Sequence, residues 1–167
     1  KALDKYSMNG ELRAKVATRY LLDGRIDDAQ RLLDETPVGI DHALLHVVEG
    51  RLHLANADRT RDGTGETDST LLSVAISAFE NALKLNRELG VAWLGLARTN
   101  RLLNNIDSAD EAIARAGRLL SEEDPSVAAE SALLALDKGD IATAAQQIDV
   151  ADIHGQSAVI TYVRGNI

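Results

Sequence analysis

Three histidines and a glutamate have the spacing in this sequence that comes nearest to a metal site. Successive members of the set His42, His46, Glu49 and His53 are three or four residues apart, which places them on one stripe of a predicted helix. Imidazole and carboxylate groups are zinc ligands, but ligands spread along three turns of one helix cannot all reach one tetrahedral centre. We therefore predict no metal and expect either a polar contact between helices or a shift in the register of the repeat. A metal- or ligand-responsive regulatory domain built on His42, His46 and His53 is the alternative.

A polar segment over 58–69 has the oxygen-rich composition of a calcium-binding loop. The residues that match the first, third, fifth and sixth places of such a loop are Asp58, Thr60, Asp62 and Gly63. The twelfth place requires a bidentate glutamate, but here it is Ser69, and two arginines lie among the ligand positions. We therefore predict no calcium site and expect a mobile polar loop, an insertion over 58–70 between two helices.

Catalytic groupings do not stand out in the sequence at the spacings that known chemistry requires. The chain has no cysteine, which removes thiol nucleophiles, thiolate zinc sites and disulfides. The acid pair Asp27-Asp28 and the acids over 122–124 lie at predicted helix starts, where carboxylates cap the helix and favour its dipole. We therefore predict that the chain is not an enzyme and binds no cofactor.

The composition is that of a globular helical protein. With 167 residues, of which 45% are apolar and 26% charged, the chain is long enough for one domain with a sizeable core. The net charge of −8 argues against nucleic acid or anionic membrane as the main partner, and no apolar run has the length of a membrane span. The compartment, cytoplasmic or periplasmic, is left open. Because the chain begins at Lys1 and ends at Ile167 inside an apparent helix, we expect a fragment of a longer protein.

An internal repeat organises most of the sequence. Four segments contain the same series: a small residue, an alanine, a bulky apolar residue and usually another alanine. The spacing between these residues matches in all four segments, except that the first two are farther apart in the second segment. The four sets are Ala17, Ala29, Leu33 and Thr36; Gly50, Ala75, Phe79 and Ala82; Ala97, Ala109, Ile113 and Ala116; and Ala132, Ala144, Ile148 and Ala151. Residues suited to ending a helix recur at Gly24, Asn104 and Gly139. Each segment thus predicts two helices joined by a tight turn, which must stack on neighbouring pairs to bury their apolar faces.

This pattern resembles the tetratricopeptide repeat. Six signature places of that family are matched in order by Trp93, Leu96, Ala97, Ala109, Ile113 and Ala116. The same segment departs from the family at Asn100, where tyrosine is preferred, whereas Tyr20 of the first segment matches. The resemblance implies an all-α fold, a right-handed α-α superhelix of four helix-turn-helix repeats plus a partial fifth. The predicted repeats form a single array over 1–167, with boundaries at 10–37, 43–87, 90–121, 125–154 and 157–167.

Resemblance to this family implies a non-catalytic scaffold whose first helices line a concave groove for a peptide or helix of a partner protein. The positions of this sequence that match the groove positions of the family are Leu44, Val47, Arg51, Val91, Leu94, Arg98, Arg101, Leu133 and Tyr162. Arg51 and Arg98 occupy equivalent places in adjacent repeats, so we expect their guanidinium groups to lie near one another. Either a carboxylate of the partner or nearby acids of the chain itself would then pair with them.

Two further expectations concern the setting of the array. The positions with which one variant of the family binds chaperone C-termini hold Ala14, Thr18, Leu94 and Arg98 here, so a chaperone tail is not the expected partner. The style rich in leucine and alanine is similar to that of bacterial repeat proteins in envelope assembly or export systems. A structural module that self-associates into a homo-oligomer is the remaining alternative.

Overall fold

The computed structural model describes residues 9–64, 67–152 and 162–165. Within these ranges every regular element is helical, which confirms the all-α prediction. The helices are α1 (Gly10–Leu22), α2 (Ile26–Asp34), α3 (Ala43–Thr64), α4 (Ser69–Leu85), α5 (Gly90–Leu102), α6 (Ile106–Leu120), α7 (Pro125–Asp137) and α8 (Ile141–Asp152). A short helical stretch follows at 162–164. Over the described ranges, no helix combines the length and the apolar character that crossing a bilayer requires.

The helices fall into two compact units, Lys1–Arg87 and Glu88–Ile167, which we call unit 1 and unit 2. In unit 1, α1 packs on α2 and α3 on α4, and the two hairpins meet through α1–α3 and α2–α3 contacts. In unit 2, α5 packs on α6 and α7 on α8, and the hairpins meet through α5–α7 and α6–α7 contacts. Each unit therefore contains two stacked helix hairpins, as the repeat predicts.

Small residues of the repeat form much of the core. The fully buried alanines include Ala17, Ala29, Ala75, Ala97, Ala109, Ala132 and Ala144. In the second hairpin, a Cβ atom added at Gly50 would lie 2.7 Å from the ring of Phe79, which is itself fully buried. The aromatic ring thus occupies the space that the missing side chain leaves. The spacing of small residues therefore marks the positions where helices approach most closely.

Residues in the left-handed region of φ end the first helix of three hairpins. Gly24, Asn104 and Gly139 have φ values of +72°, +60° and +74°. After α5, the N–H of Asn104 donates to the carbonyl of Arg101 at 2.9 Å, and the N–H of Asn105 donates to the carbonyl of Asn100 at 2.8 Å. The turns at Gly24 and Gly139 contain the same two bonds, the Schellman pattern. The predicted helix-ending role of these three residues is confirmed.

Acidic residues lie at helix starts, as predicted. Asp27 and Asp28 are in the first turn of α2. Asp124 is the N-cap of α7, where its carboxylate accepts hydrogen bonds from the N–H groups of Ser126 and Val127. The carboxylate of Asp124 satisfies backbone donors that have no partner within the helix. Among the described residues, no side chain caps the start of α2; Asp27 pairs with Arg59, and Asp28 with Arg25 and Arg31, at the positive end of the helix dipole. Their role is structural.

The polar segment after residue 57 corrects one prediction. Helix α3 runs on to Thr64, so residues 58–64 are helical and the prediction of a loop there is wrong. Within the extension, Thr60 donates to the carbonyl of Asn56 at 3.0 Å and Arg61 pairs with Asp58 at 3.4 Å. Arg59 reaches Asp27 of α2 at 3.4 Å. Charged side chains that pair one turn apart stabilise a helix, although the composition of this segment by itself indicates a loop. As a result α3 has 22 residues, against 13 in α1, α5 and α7.

Candidate partner-binding surfaces

Helix α5 carries one candidate surface in unit 2. Val91, Leu94 and Arg98 fall within a stripe about 60° wide at the helical period. Val91 and Leu94 are half-buried and Arg98 is exposed. Buried residues such as Leu96 and Thr99 lie on other sides of the helix. The stripe therefore offers two apolar side chains beside a cation.

Arg101 belongs to the same stripe, but its guanidinium is used within unit 2. Its Nε donates to Glu130 at 2.5 Å and its Nη1 to Asp137 at 3.2 Å, both carboxylates being on α7. Burial alone would lower the pKa of Arg101, but the charges and hydrogen bonds of Glu130 and Asp137 outweigh it and raise the pKa. The prediction that Arg101 faces a partner is corrected to this extent: it joins α5 to α7.

The ion pairs of Arg101 also locate Leu133. Glu130, Leu133 and Asp137 lie within about 60° on α7, so the face that meets Arg101 is also the face of Leu133. Leu133 is partly buried and packs against the core around Ala132 and Ile148. The apolar stripe of α5 therefore continues onto α7. Tyr162, farther along the chain, is 59% exposed.

The corresponding residues of unit 1 lie on α3. Leu44 and Arg51 are half-buried, but Val47 is only 3% exposed. A buried valine has no surface left for a partner, so its predicted place in the groove is corrected to a core position. Arg51 and Arg98 belong to different units, and their predicted proximity stays a prediction.

Arg51 differs from Arg101 in its surroundings. Both are partly buried, but in the described part of the chain no carboxylate or carbonyl accepts a hydrogen bond from the Arg51 guanidinium. Burial lowers the pKa of Arg51, the direction expected of a cation that loses water and gains no counter-charge. Arg51 is therefore suited to pair with an anion supplied from outside.

The histidine stripe is rearranged in the structure. Helix α3 begins at Ala43, so His42 precedes it and the prediction of four residues on one helix is wrong at that end. The Nδ1 atom of His42 accepts a hydrogen bond from the N–H of Leu44 at 3.2 Å. The ring of His46 lies between Asp41, 2.8 Å from Nε2, and Glu49, 3.3 Å from Nδ1. Over the described ranges, no three of these side chains converge on a point where a metal would sit.

Sequence reasoning missed Glu130 and Asp137 as the partners of Arg101. The available signal was the pair of acids seven residues apart on a predicted first helix, on the face that also carries Leu133. It also missed that Trp93, the only tryptophan of the chain, lies beneath Arg115 of α6, whose Cζ is 5.8 Å from the ring centroid.

Comparisons with known proteins place the fold. No protein-family profile matches the sequence, and no curated protein matches it. Among solved structures, the chain is similar to TTC0263, a thermophilic TPR protein of Thermus thermophilus, with a TM-score of 0.71 and 20% identity over 99% of this chain and 84% of that one. It also matches PilF of Pseudomonas aeruginosa, with 18% identity over 93% of this chain and 79% of that one. The TM-score of that match is 0.46, and we draw no conclusion from it. The chain thus has the all-α helical-repeat fold of a TPR protein.

Proposed function

We propose that this chain is a non-catalytic protein–protein interaction module that binds a peptide segment or helix of a partner protein on its first helices. The observation that carries the proposal is the combined stripe of α5 and α7, in which Val91, Leu94 and Leu133 are all partly exposed beside Arg98. Arginine is enriched among the residues that dominate binding energy at protein interfaces, and the contacts that surround such a residue exclude water from it.

The Arg101 ion pairs support this assignment, because they give the stripe a fixed geometry. A surface that is already ordered loses less conformational entropy on binding than a mobile one. Because Glu130 and Asp137 already pair with Arg101, the Arg101 guanidinium does not compete with Arg98 for an acidic residue of the partner. The surface therefore favours a segment with apolar side chains and an acidic residue that reaches Arg98.

Arg51 is a separate candidate anchor, in unit 1. A half-buried guanidinium without an acceptor in the described residues has already lost part of its hydration, so a carboxylate placed against it gains a charge-assisted hydrogen bond. We infer that a segment bound at Arg51 carries an acidic residue. The setting in a bacterial envelope assembly or export system rests on repeat style alone and stays a prediction.

The test is affinity capture from lysate of the source organism, with mass spectrometry, on the wild type and a Leu94→Glu, Arg98→Glu double variant. The matched control is Leu119→Glu, Arg118→Glu, an adjacent leucine and arginine pair that is exposed on α6. We expect a protein that the wild type and the control retain and the α5 variant loses. An acidic segment of that protein should then bind in calorimetry, and the α5 variant should weaken it about 100-fold. Identical captured sets for all three proteins, with all three folded by circular dichroism, would overturn the assignment.

A further inference from the structure

The ring of His46 lies between two carboxylates, and each of its nitrogens faces one of them. Nε2 is 2.8 Å from Oδ1 of Asp41, and Nδ1 is 3.3 Å from Oε2 of Glu49. A neutral imidazole has a single N–H group, whereas an imidazolium has two. In either neutral tautomer, one carboxylate therefore faces a ring nitrogen that has no hydrogen to donate. Only the protonated ring donates to both carboxylates at once.

The two carboxylates belong to different parts of unit 1. Glu49 follows His46 by three residues on α3, so this contact stays within one helix. Asp41 lies in the connection 35–42, which leads from the end of α2 to the start of α3. The contact between His46 and Asp41 therefore joins this connection to α3.

The connection 35–42 also touches the start of α1. Ile40 packs against a core cluster to which α1, α2 and α3 all contribute. A Cβ atom added at Gly10, the first residue of α1, would lie 2.8 Å from Cβ of His42 and 3.0 Å from Cγ2 of Ile40. The connection is thus in close contact with the first hairpin of unit 1 and, through His46, with the second. Its position affects how the two hairpins pack.

The charged groups around His46 are mostly carboxylates. Besides its two partners, the cleft beside the ring is lined by the carboxylate of Asp34 on α2 and by the imidazoles of His42 and His53. Among the described residues that line this cleft, there is no lysine or arginine, and none comes from α1 or α4. The His46 side chain is 27% exposed and those of its partners are 63% and 45% exposed, so water weakens both ion pairs without abolishing them.

His42 has the opposite requirement. Its Nδ1 atom accepts a hydrogen bond from the N–H of Leu44 at 3.2 Å, so this nitrogen carries no proton. A proton there would remove the acceptor and place a positive charge at the positive end of the α3 dipole. Glu11 of α1 is also close, since its pKa is lowered by the hydrogen bond and charge of Lys15 and, to a smaller extent, by the charge of His42. The effects of the two histidines must therefore be measured separately.

We propose that His46 is a pH-sensitive clamp in unit 1. In its protonated form it holds Asp41 of the connection and Glu49 of α3 together. On deprotonation, one contact loses its hydrogen bond and the other loses its charge assistance. The stabilisation by His46 is therefore present at about pH 5.5 and falls as the pH rises toward about 8, the interval over which histidine side chains change charge. This inference does not depend on the proposed function.

The first test is an NMR titration of the isotope-labelled 167-residue chain from about pH 5 to about pH 8. Long-range proton–nitrogen spectra report which ring nitrogens of His46 are protonated, and carboxyl carbon signals report on Asp41 and Glu49. We expect both carboxyl signals to shift over the same pH interval as the His46 ring. A carboxyl signal of Asp41 that did not follow His46 would overturn the proposal.

The second test is a double-mutant cycle of His46→Gln and Asp41→Asn, measured by urea unfolding. All proteins carry His42→Asn, which retains an acceptor for the N–H of Leu44 and does not titrate. We expect His46 and Asp41 to be coupled about fivefold in the unfolding equilibrium at about pH 5.5, and less than about twofold at about pH 8. Equal coupling at the two pH values would overturn the proposal.

The control cycle pairs His46→Gln with Asp34→Asn. Asp34 lines the same cleft, but its carboxylate accepts a hydrogen bond from Gln30 at 2.8 Å. We expect no coupling between His46 and Asp34 that changes with pH, and coupling as large as that of Asp41 would contradict a specific clamp. If the double variant of the first cycle does not fold, Asp41→Asn alone decides, because its effect on the urea midpoint must be larger at about pH 5.5 than at about pH 8.

Discussion

The guanidinium of Arg101 joins α5 to the carboxylate of Glu130 on α7 across 2.5 Å, and both side chains are nearly withdrawn from solvent, at 13% and 9% exposure. A second carboxylate, of Asp137, lies 3.2 Å from the same guanidinium and is 40% exposed. Leu133 lies between these two acids along α7, so this ion-pair network fixes the apolar stripe that we propose as the partner surface.

Loss of the buried carboxylate should destabilise the protein strongly. In Glu130→Gln, Arg101 keeps its charge but loses its closest counter-charge, and we expect the free energy of unfolding to fall by about 3 kcal/mol. Asp137→Asn is the control, with a cost of about 1 kcal/mol or less, because the Asp137 side chain is much more exposed. Denaturant unfolding measures both. A Glu130→Gln cost equal to or smaller than that of Asp137→Asn would contradict the interpretation.

A methyl group at Gly50 should be incompatible with the packing of unit 1. The added Cβ would lie 2.7 Å from two atoms of the Phe79 ring, and that ring is fully buried. We expect Gly50→Ala to cost about 1–3 kcal/mol. Gly63→Ala is the control on the same helix, since nothing lies within 4 Å of its added Cβ, and it should stabilise the helix by up to about 1 kcal/mol. If the thermal unfolding midpoint changed in the same direction in both variants, this interpretation would be contradicted.

The left-handed turn residues should respond in opposite directions to substitution. Position 104 has a φ of +60°, a conformation to which glycine is best suited. We therefore expect Asn104→Gly to raise the free energy of unfolding by about 0.5 kcal/mol. Gly139→Ala adds a Cβ atom to a residue whose φ is +74°, so we expect the free energy of unfolding to fall by about 1 kcal/mol. Both residues end first helices within unit 2, so each is the reference for the other. Equal unfolding midpoints for the two variants would show that turn conformation is not what these positions require.

Asp140 should make stability depend on pH in the acid range. A hydrogen bond of 2.7 Å from the hydroxyl of Thr143, with a further bond from its N–H at 3.1 Å, lowers the pKa of Asp140. Because the folded-state pKa lies below that of the unfolded chain, this stabilisation is complete above about pH 4 and is lost as the pH falls through the folded-state pKa.

The measurement is the thermal midpoint as a function of pH in the wild type, in Asp140→Asn and in Glu80→Gln, an exposed acid on α4. The amide introduced by Asp140→Asn would retain a capping carbonyl oxygen but does not ionise, so we expect the acid-side slope to be shallower in this variant than in the wild type. A slope identical in these two proteins would contradict the role of this carboxylate.

The repeat positions were predictable because their signals are local. Ala97, Ala109 and the turn at Asn104 follow from spacing within a single hairpin, and a small residue or a helix-ending residue has few structural roles at such places. The resemblance to a known repeat then gave the order of helices and the stripes that carry Leu94 and Arg98. The existence and type of each hairpin were therefore within reach of the sequence.

The remaining features depend on contacts between elements that are distant in sequence. The helical extension to Thr64 was missed because its composition is that of a loop, whereas the contact of Arg59 with Asp27 of α2 arises only after folding. The carboxylates that pair with Arg101 lie 29 and 36 residues away along the chain, and periodicity does not identify them. Val47 satisfies the register of the groove and is nevertheless buried by its neighbours.

The position of Trp93 has a spectroscopic consequence. It is the only tryptophan of the chain and lies in unit 2 beneath Arg115, so tryptophan emission reports directly on that unit, while far-ultraviolet circular dichroism reports on the helices of both. Superposition of the two unfolding curves indicates one cooperative transition, and their separation assigns each transition to a unit. Gly50→Ala, which perturbs unit 1, then measures cooperativity directly, because its effect reaches the emission of Trp93 only to the extent that the two units unfold together.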